Sequence, residues 1–126
     1  MSELLTTRGW IQAMLDVEAA LAEVQASLGI IPPAAARPIR EAARAEFYDE
    51  ARLLEDRRAA GNLAVPLVRQ LTEKVAASDK DAARYVHWGA TSQDIIDTAL
   101  ILQLGVGIPR ILSDLQRAAD AASEHA

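Results

Sequence analysis

One segment in the last third of the chain constrains the fold more than any other. Seven of the ten residues from Ile95 to Leu104 are apolar, and they are spread around a helix instead of forming one stripe. A helix that is apolar on every side must be covered on several sides. The helical pattern continues past Gly105, Gly107 and Pro109, which predicts one long helix with a bend near Pro109.

The length of the chain limits how such a helix can be covered. Helices this long are typical of bundles, but the 126 residues leave room for only a few shorter helices ahead of it. These shorter helices can cover one side of the long helix. Its other sides would expose more apolar surface than soluble monomers tolerate. We therefore expect the chain to be a fragment of a longer protein or to associate with other copies.

Composition favours an all-α protein. The chain contains 26 alanines and 15 leucines, whereas aromatic residues make up only 4%. Alanine and leucine lose the least on entering a helix. An all-α fold follows, with one domain as the starting expectation for this length.

The charge balance and residue types exclude several classes of function. The net charge of −5 is not accompanied by a basic block, so we expect no nucleic-acid partner. The chain has no cysteine and two histidines, which leaves no usual zinc site, and its acidic residues are not clustered as hard-cation ligands. Without a signal peptide or an apolar run approaching the roughly 20 residues of a membrane span, we expect a soluble, cytoplasmic protein.

Proline, glycine and capping residues divide the first two thirds of the chain into helices. Gly29 and Gly61 are helix stops, Asp49 is an N-cap, and prolines occupy first turns. Pro38 weakens the second helix. Four helices are predicted: from about Arg8 to Leu28, from Pro33 to about Ala43, from Glu50 to Ala60, and from a first turn that contains Pro66 to about Ala77. A polar link from Ser78 to Asp81 and a short helical piece through Tyr85 follow.

The start of the long helix carries the candidate site. Residues 85–104 read YVHWGATSQDIIDTALILQL, in which Gly89 and Ala90 form a turn and Thr91 and Asp94 have the spacing of a capping box. The first N–H groups of a helix lack intrahelical partners and carry a partial positive charge. Hydroxyls of Thr91 and Ser92 and the Gln93 amide would add donors, so this end could hold a carboxylate or a developing oxyanion.

A structural interpretation of the same residues stands beside this one. A hydroxyl residue three positions before an acidic one is commonly a helix cap and nothing more. A single histidine beside a tryptophan, such as His87, is more often a half-buried structural side chain than a proton-transfer group. Asp94 would also compete with an anion for the positive end of the helix.

The complete string resembles the first signature block of the aspartase/fumarase superfamily. Within that superfamily, His87 to Asp94, the upstream segment AGNLAVPLVRQL (residues 60–71) and the segment IQAMLDVEAALAEVQASLGIIP (residues 11–32) are most similar to the bacterial 3-carboxy-cis,cis-muconate cycloisomerases. The resemblance spans nearly the whole chain.

The resemblance implies a fold and an assembly. It identifies residues 1–91 as the N-terminal helical domain of the fumarase/aspartase fold and residues 92–126 as the start of the central helical bundle. Members of the superfamily are homotetramers whose long helices form a bundle of twenty, and each active site draws signature blocks from three subunits. Such an assembly would cover a helix that is apolar all round.

The resemblance also implies a site. His87, Thr91, Ser92 and Asp94 would line the pocket, the Thr-Ser pair would contact a substrate carboxylate, and Asn62 is a further candidate. The superfamily's second block and the flexible third block, whose serine is the usual catalytic base, lie beyond residue 126. The implied substrate is a small dicarboxylate or tricarboxylate, with no metal or organic cofactor.

Three functions remain open at this point. The first is a part of an enzyme that lactonises 3-carboxy-cis,cis-muconate in aromatic-acid catabolism (the protocatechuate branch of the β-ketoadipate pathway), with the chain alone inactive. The second is a part of another superfamily member, such as an adenylosuccinate lyase. The third is a non-catalytic helical assembly module in which the motif serves only as a cap.

Overall fold

The computed structural model describes residues 6–124, and every regular element among them is helical. The all-α prediction is confirmed, whereas the interpretation of His125 as part of a frayed end lies outside the described residues. The helices are α1 (Thr7–Ser27), α2 (Pro33–Ala42), α3 (Glu50–Ala60), α4 (Ala64–Ser78), α5 (Lys80–Ala83) and α6 (Ser92–Glu124), with a 3₁₀ turn at Ala45–Phe47 between α2 and α3.

Local capping sets the ends of α3 as the sequence predicts. The Asp49 side chain accepts hydrogen bonds from the backbone N–H groups of Ala51 and Arg52, which have no intrahelical carbonyl partner. At the other end Gly61 adopts a left-handed conformation with φ of 82°, which a residue without a Cβ adopts at no steric cost. The predicted bounds of α3 are confirmed.

The structure differs from the prediction in three places, one of which is that the short helical piece predicted through Tyr85 ends at Ala83. The polar link predicted from Ser78 to Asp81 is wrong, because α4 continues to Ser78 and only Asp79 separates it from α5. The Asp79 side chain accepts hydrogen bonds from the N–H groups of Asp81 and Ala82, so the polar residue starts a new helix instead of forming a loop. The 3₁₀ turn was not predicted.

The core is formed mainly by apolar faces of α1 and α4. Helix α1 packs against α2 and α6, and α4 packs against α2, α3, α5 and α6. The fully buried side chains include members from five of the helices: Ile11, Met14, Leu15, Ile39, Leu53, Leu67, Leu71, Val75 and Ile95. This core positions the start of α6 beside α1 and α4.

Helix α6 is held by its first turns. Of its 33 residues only Ile95 and Ala99 are buried. The large apolar side chains beyond them are exposed, at 65% for Ile101, 60% for Leu112 and 61% for Leu115. The helix is continuous across Pro109, and the bend there stays a prediction.

By length and composition alone, α6 would suffice to cross a membrane. Its most apolar stretch of 18 residues has a mean hydropathy of 1.6, and 11% of that stretch is buried. The expectation from the sequence considered only the length of apolar runs, and α6 meets the hydropathy criterion because its few polar residues do not lower the mean enough. A core helix of a soluble protein passes the same test, so the result is weak support for a membrane span.

The Asp49 cap gives a test of the fold. We expect Asp49→Ala to lower the free energy of unfolding by about 1 kcal/mol, because two N–H groups lose their acceptor. Urea denaturation followed by circular dichroism measures this change. Glu55→Ala, an exposed position inside α3, is the control and should change stability by less than about 0.5 kcal/mol. Equal effects of the two substitutions would contradict the role of the cap.

Candidate functional site

The residues before α6 bring its amino end to the surface. Arg84 to Gly89 form turns, with a positive φ of 72° at Gly89. Thr91 is exposed and Ser92 is half-buried. Neither hydroxyl is sealed inside the core, so the first turn of α6 is accessible to a molecule from outside the chain.

Thr91 and Asp94 form the predicted capping box. The Asp94 carboxylate accepts hydrogen bonds from the Thr91 N–H at 2.8 Å and from the Thr91 hydroxyl at 2.9 Å. The Asp94 N–H donates in return to Thr91 Oγ1 at 3.4 Å. These bonds, with a smaller contribution from the charge of His87, lower the pKa of Asp94. Asp94 therefore stays ionised and uses both Thr91 donors for the cap.

Ser92 is linked to the start of α4. Asn62 Nδ2 donates to Ser92 Oγ at 3.4 Å, and Asn62 Oδ1 accepts from the Val65 N–H at 3.1 Å. Asn62 thus caps α4 with one end of its amide and reaches α6 with the other. The structure brings together these two candidate residues, which are 30 positions apart in the chain.

Gln93 does not join this group. Its Nε2 donates to Asp97 Oδ1 at 2.6 Å, one turn further along α6, and both residues are exposed. The amide is therefore occupied by an i, i+4 pair on the helix surface. This arrangement does not place Gln93 beside Ser92 as an additional donor.

His87 is paired with a residue that sequence reasoning did not identify. Its Nδ1 lies 2.6 Å from Glu18 Oε1 of α1. The Glu18 side chain is 1% exposed and that of His87 is 19% exposed. His87 also adopts a positive φ of 59°, a conformation uncommon for residues other than glycine.

The hydrogen bond to Glu18 has the largest effect on the pKa of His87. It raises the pKa of His87, and the negative charges of Glu18 and Asp94 add to the rise, while burial of the ring opposes it.

The sequence of α1 contained a signal for Glu18. Ile11, Met14, Leu15 and Ala22 form the buried stripe of α1, and Glu18 is the carboxylate that interrupts this stripe at helical spacing.

An apolar groove of about 530 Å³ lies between α1 and the start of α6. Among the candidate site residues only Asp94 lines it. The remaining lining is Asp16, Val17, Ala20, Leu21, Val24, Gln25, Trp88, Gly89, Ala90, Ile95, Thr98 and Leu102. The exposed amino end of α6 therefore holds Thr91, Ser92 and Asp94, with Asn62 bonded to Ser92, and these residues do not line one closed cavity of this chain.

The arrangement can bind an anion. The amino end of α6 carries a partial positive charge, Ser92 adds a hydroxyl, and the raised pKa of His87 favours an imidazolium. The charge of His87 also lowers the pKa of Asp94, so the two groups interact electrostatically. Among residues 6–124, no three His, Cys, Asp or Glu side chains are grouped to hold a metal ion.

The Glu18–His87 pair predicts a pH dependence of stability. Because folding raises the pKa of His87, the pair stabilises the fold fully below the unfolded value of about 6.5, and this contribution is lost as the pH rises through the folded pKa. We expect the free energy of unfolding to decrease over that window. Urea denaturation at a series of pH values measures it.

Two variants isolate the pair. Glu18→Gln should remove the decrease, whereas His125→Gln, which removes the only other histidine, should preserve it. An unchanged pH dependence in Glu18→Gln would show that the pair does not cause it.

Comparisons with known proteins agree with the fold and the motif. A family model described as "Lyase" matches residues 1–126. The 3-carboxy-cis,cis-muconate cycloisomerase of Bradyrhizobium diazoefficiens is 54% identical over 111 residues, covering 88% of this chain and 25% of that protein. An adenylosuccinate lyase of Methanothermobacter thermautotrophicus is 43% identical over 107 residues, covering 85% of this chain and 23% of that protein.

A solved structure of a related enzyme agrees with these sequence matches. The 3-carboxy-cis,cis-muconate lactonizing enzyme from Pseudomonas putida matches with a TM-score of 0.94 and 46% identity, covering 99% of this chain and 28% of that one. The chain thus spans about a quarter of the length of its relatives. It belongs to the lyase family, as its resemblance to the aspartase/fumarase superfamily implies.

Proposed function

We propose that this chain supplies the amino-terminal part of a 3-carboxy-cis,cis-muconate cycloisomerase. The observation that carries the proposal is the 54% identity to a cycloisomerase over 88% of the chain, together with an accessible hydroxyl-bearing helix end at the motif. The reaction adds one carboxylate of the substrate across a double bond and forms a lactone. The enzyme must stabilise an enolate-like charge while a proton reaches the neighbouring carbon.

The helix end gives each candidate residue a role. Ser92 donates its hydroxyl to a substrate carboxylate, and the N–H groups of the first turn and the helix dipole support the same charge. Asn62 holds Ser92 through the 3.4 Å contact. Thr91 contributes after it exchanges its bond to Asp94 for the substrate, and His87 lines the pocket as a cation.

The remaining parts of the site come from outside residues 1–126 in this proposal. The proton-transfer serine and the other anion-binding residues belong to the superfamily's later blocks and to neighbouring subunits of a homotetramer. Residues 1–91 then form the N-terminal domain, and α6 enters the shared bundle. The enzyme works in the cytoplasm, in aromatic-acid catabolism, without a metal or organic cofactor.

A second candidate is an adenylosuccinate lyase. The 43% identity to such an enzyme over 85% of the chain supports it less strongly than the cycloisomerase. Assays with both substrates separate the two enzymes. Lack of turnover with either would favour the third candidate, a non-catalytic assembly module.

A chimera tests the cycloisomerase proposal. Residues 1–126 replace the matching segment of the Pseudomonas putida enzyme, and lactonisation is followed spectrophotometrically. We expect turnover by the chimera and none by residues 1–126 alone. Thr91→Ala with Ser92→Ala should then cost about 2 to 4 kcal/mol of transition-state stabilisation, as the loss of oxyanion donors does.

A matched double substitution controls for the lost hydroxyls. Thr72→Ala with Ser78→Ala removes one threonine and one serine hydroxyl that bond to carbonyls of α4, and it should leave turnover unchanged. Thermal unfolding of each variant separates the loss of the Thr91 cap, worth about 1 kcal/mol, from the loss of catalysis. Undiminished turnover after the Thr91 and Ser92 substitutions would contradict the proposal.

The exposed face of α6 predicts self-association. Burial of apolar side chains such as Ile101 and Leu112 against other copies should give a species larger than a monomer in light scattering. Ile101→Glu with Leu112→Glu should shift the chain toward monomer. Leu28→Glu, at a 69% exposed apolar position outside α6, is the control and should not. A monomeric unmodified chain would refute this prediction.

A further inference from the structure

Glu18 is an unusual residue for the position it occupies. Among residues 6–124 it is the only charged side chain that is buried. Oε1 is paired with His87, and Oε2 is buried without a hydrogen-bond partner in the described part of the chain. One carboxylate with half of its acceptors unused thus lies within the apolar stripe of α1.

Stability alone does not account for this carboxylate. Removing a carboxylate from water costs several kcal/mol, and replacing a buried ion pair by apolar side chains is often neutral or stabilising. The neighbours of Glu18 on the same face, such as Leu15 and Ala22, are apolar and buried. An apolar residue would therefore continue the stripe at a lower cost, which points to a role for the pair itself.

The contact with Glu18 indicates which ring nitrogen of His87 carries a proton. Because a carboxylate accepts and does not donate, we assign the 2.6 Å contact to an Nδ1–H donor of His87 and an Oε1 acceptor of Glu18. Nε2 forms no hydrogen bond among residues 6–124 and is not among the buried unpartnered atoms, so it reaches solvent. One ring nitrogen is held by the core, and the other is available at the surface.

We propose that Glu18 is a positioning residue: it holds His87 with Nδ1 protonated and thereby presents Nε2 to a carboxylate oxygen of the substrate. This inference rests on the proposed function, because the substrate carboxylate comes from it. As an imidazolium, His87 donates its Nε2–H to that oxygen next to the amino end of α6. The ring is held from one side by Glu18, and Asp94 is the other charged group acting on it.

Nitrogen NMR of the histidine ring tests the positioning without an activity assay. The chain contains two histidines, so ¹⁵N-histidine labelling in a His125→Gln background reports on His87 alone. We expect Nδ1 to remain protonated across the titration and Nε2 to lose its proton at high pH. If the neutral ring is protonated on Nε2 in this background, the proposal is wrong, regardless of the results for variants of Glu18.

Substitution of Glu18 gives the second measurement. Glu18→Gln keeps the shape of the side chain and removes its charge, so it should lower the pKa of His87 and raise the share of the Nε2-protonated form of the neutral ring. Glu23→Gln, on the same helix but paired with Arg40, should change neither. If Glu18→Gln and Glu23→Gln give the same titration, the proposal is wrong.

The chimera with the Pseudomonas putida enzyme tests the link to the substrate. We expect Glu18→Gln to raise KM about tenfold, corresponding to about 1.4 kcal/mol of lost binding, with a smaller change in kcat. An unchanged KM would overturn the presentation of Nε2 to the substrate. An inactive unsubstituted chimera would instead count against the proposed function, and the NMR result would then decide the positioning role by itself.

Discussion

The arrangement of the molecule depends on the packing of the first turns of α6 against α1 and α4. Ile95 and Ala99 are the buried residues of this helix, and they lie one turn apart on one face. These two residues are the buried part of a helix of 33 residues. Their packing also leaves the amino end of the helix at the surface, where Asn62 of the α4 start and Ser92 meet.

The hydrogen-bond donors at the amino end of α6 can serve either a helix cap or a bound anion. A helix needs a cap, and Asp94 provides one by accepting from the N–H and hydroxyl of Thr91. An anion site needs free donors, and Ser92 and the cationic form of His87 meet that need better than Thr91 does. The capping and binding interpretations of the motif are therefore compatible, because Ser92 takes no part in the bonds between Thr91 and Asp94 that form the cap.

Local signals predicted most of the fold. Asp49 and Gly61 set the ends of α3 through side-chain capping and a left-handed glycine, both of which act within a few residues. The polar residues around Asp79 were misinterpreted as a link, because a helix-capping aspartate and a loop aspartate have the same local sequence. The capping box at Thr91 and Asp94 was predicted for the same local reason, whereas the participation of Gln93 in the site stays a prediction, and its amide bonds to Asp97 in this structure.

The sequence by itself determined the helical class, the bounds of most helices, the cap of α6 and, through its motifs, the lyase family. Only the tertiary structure decided which side chains meet across long separations. Glu18 and His87 are 69 residues apart, and no periodicity connects a carboxylate in the stripe of α1 to a histidine in the turns before α6. Helical periodicity specifies which face of a helix is buried, but the partner of a buried charge depends on how separate helices pack.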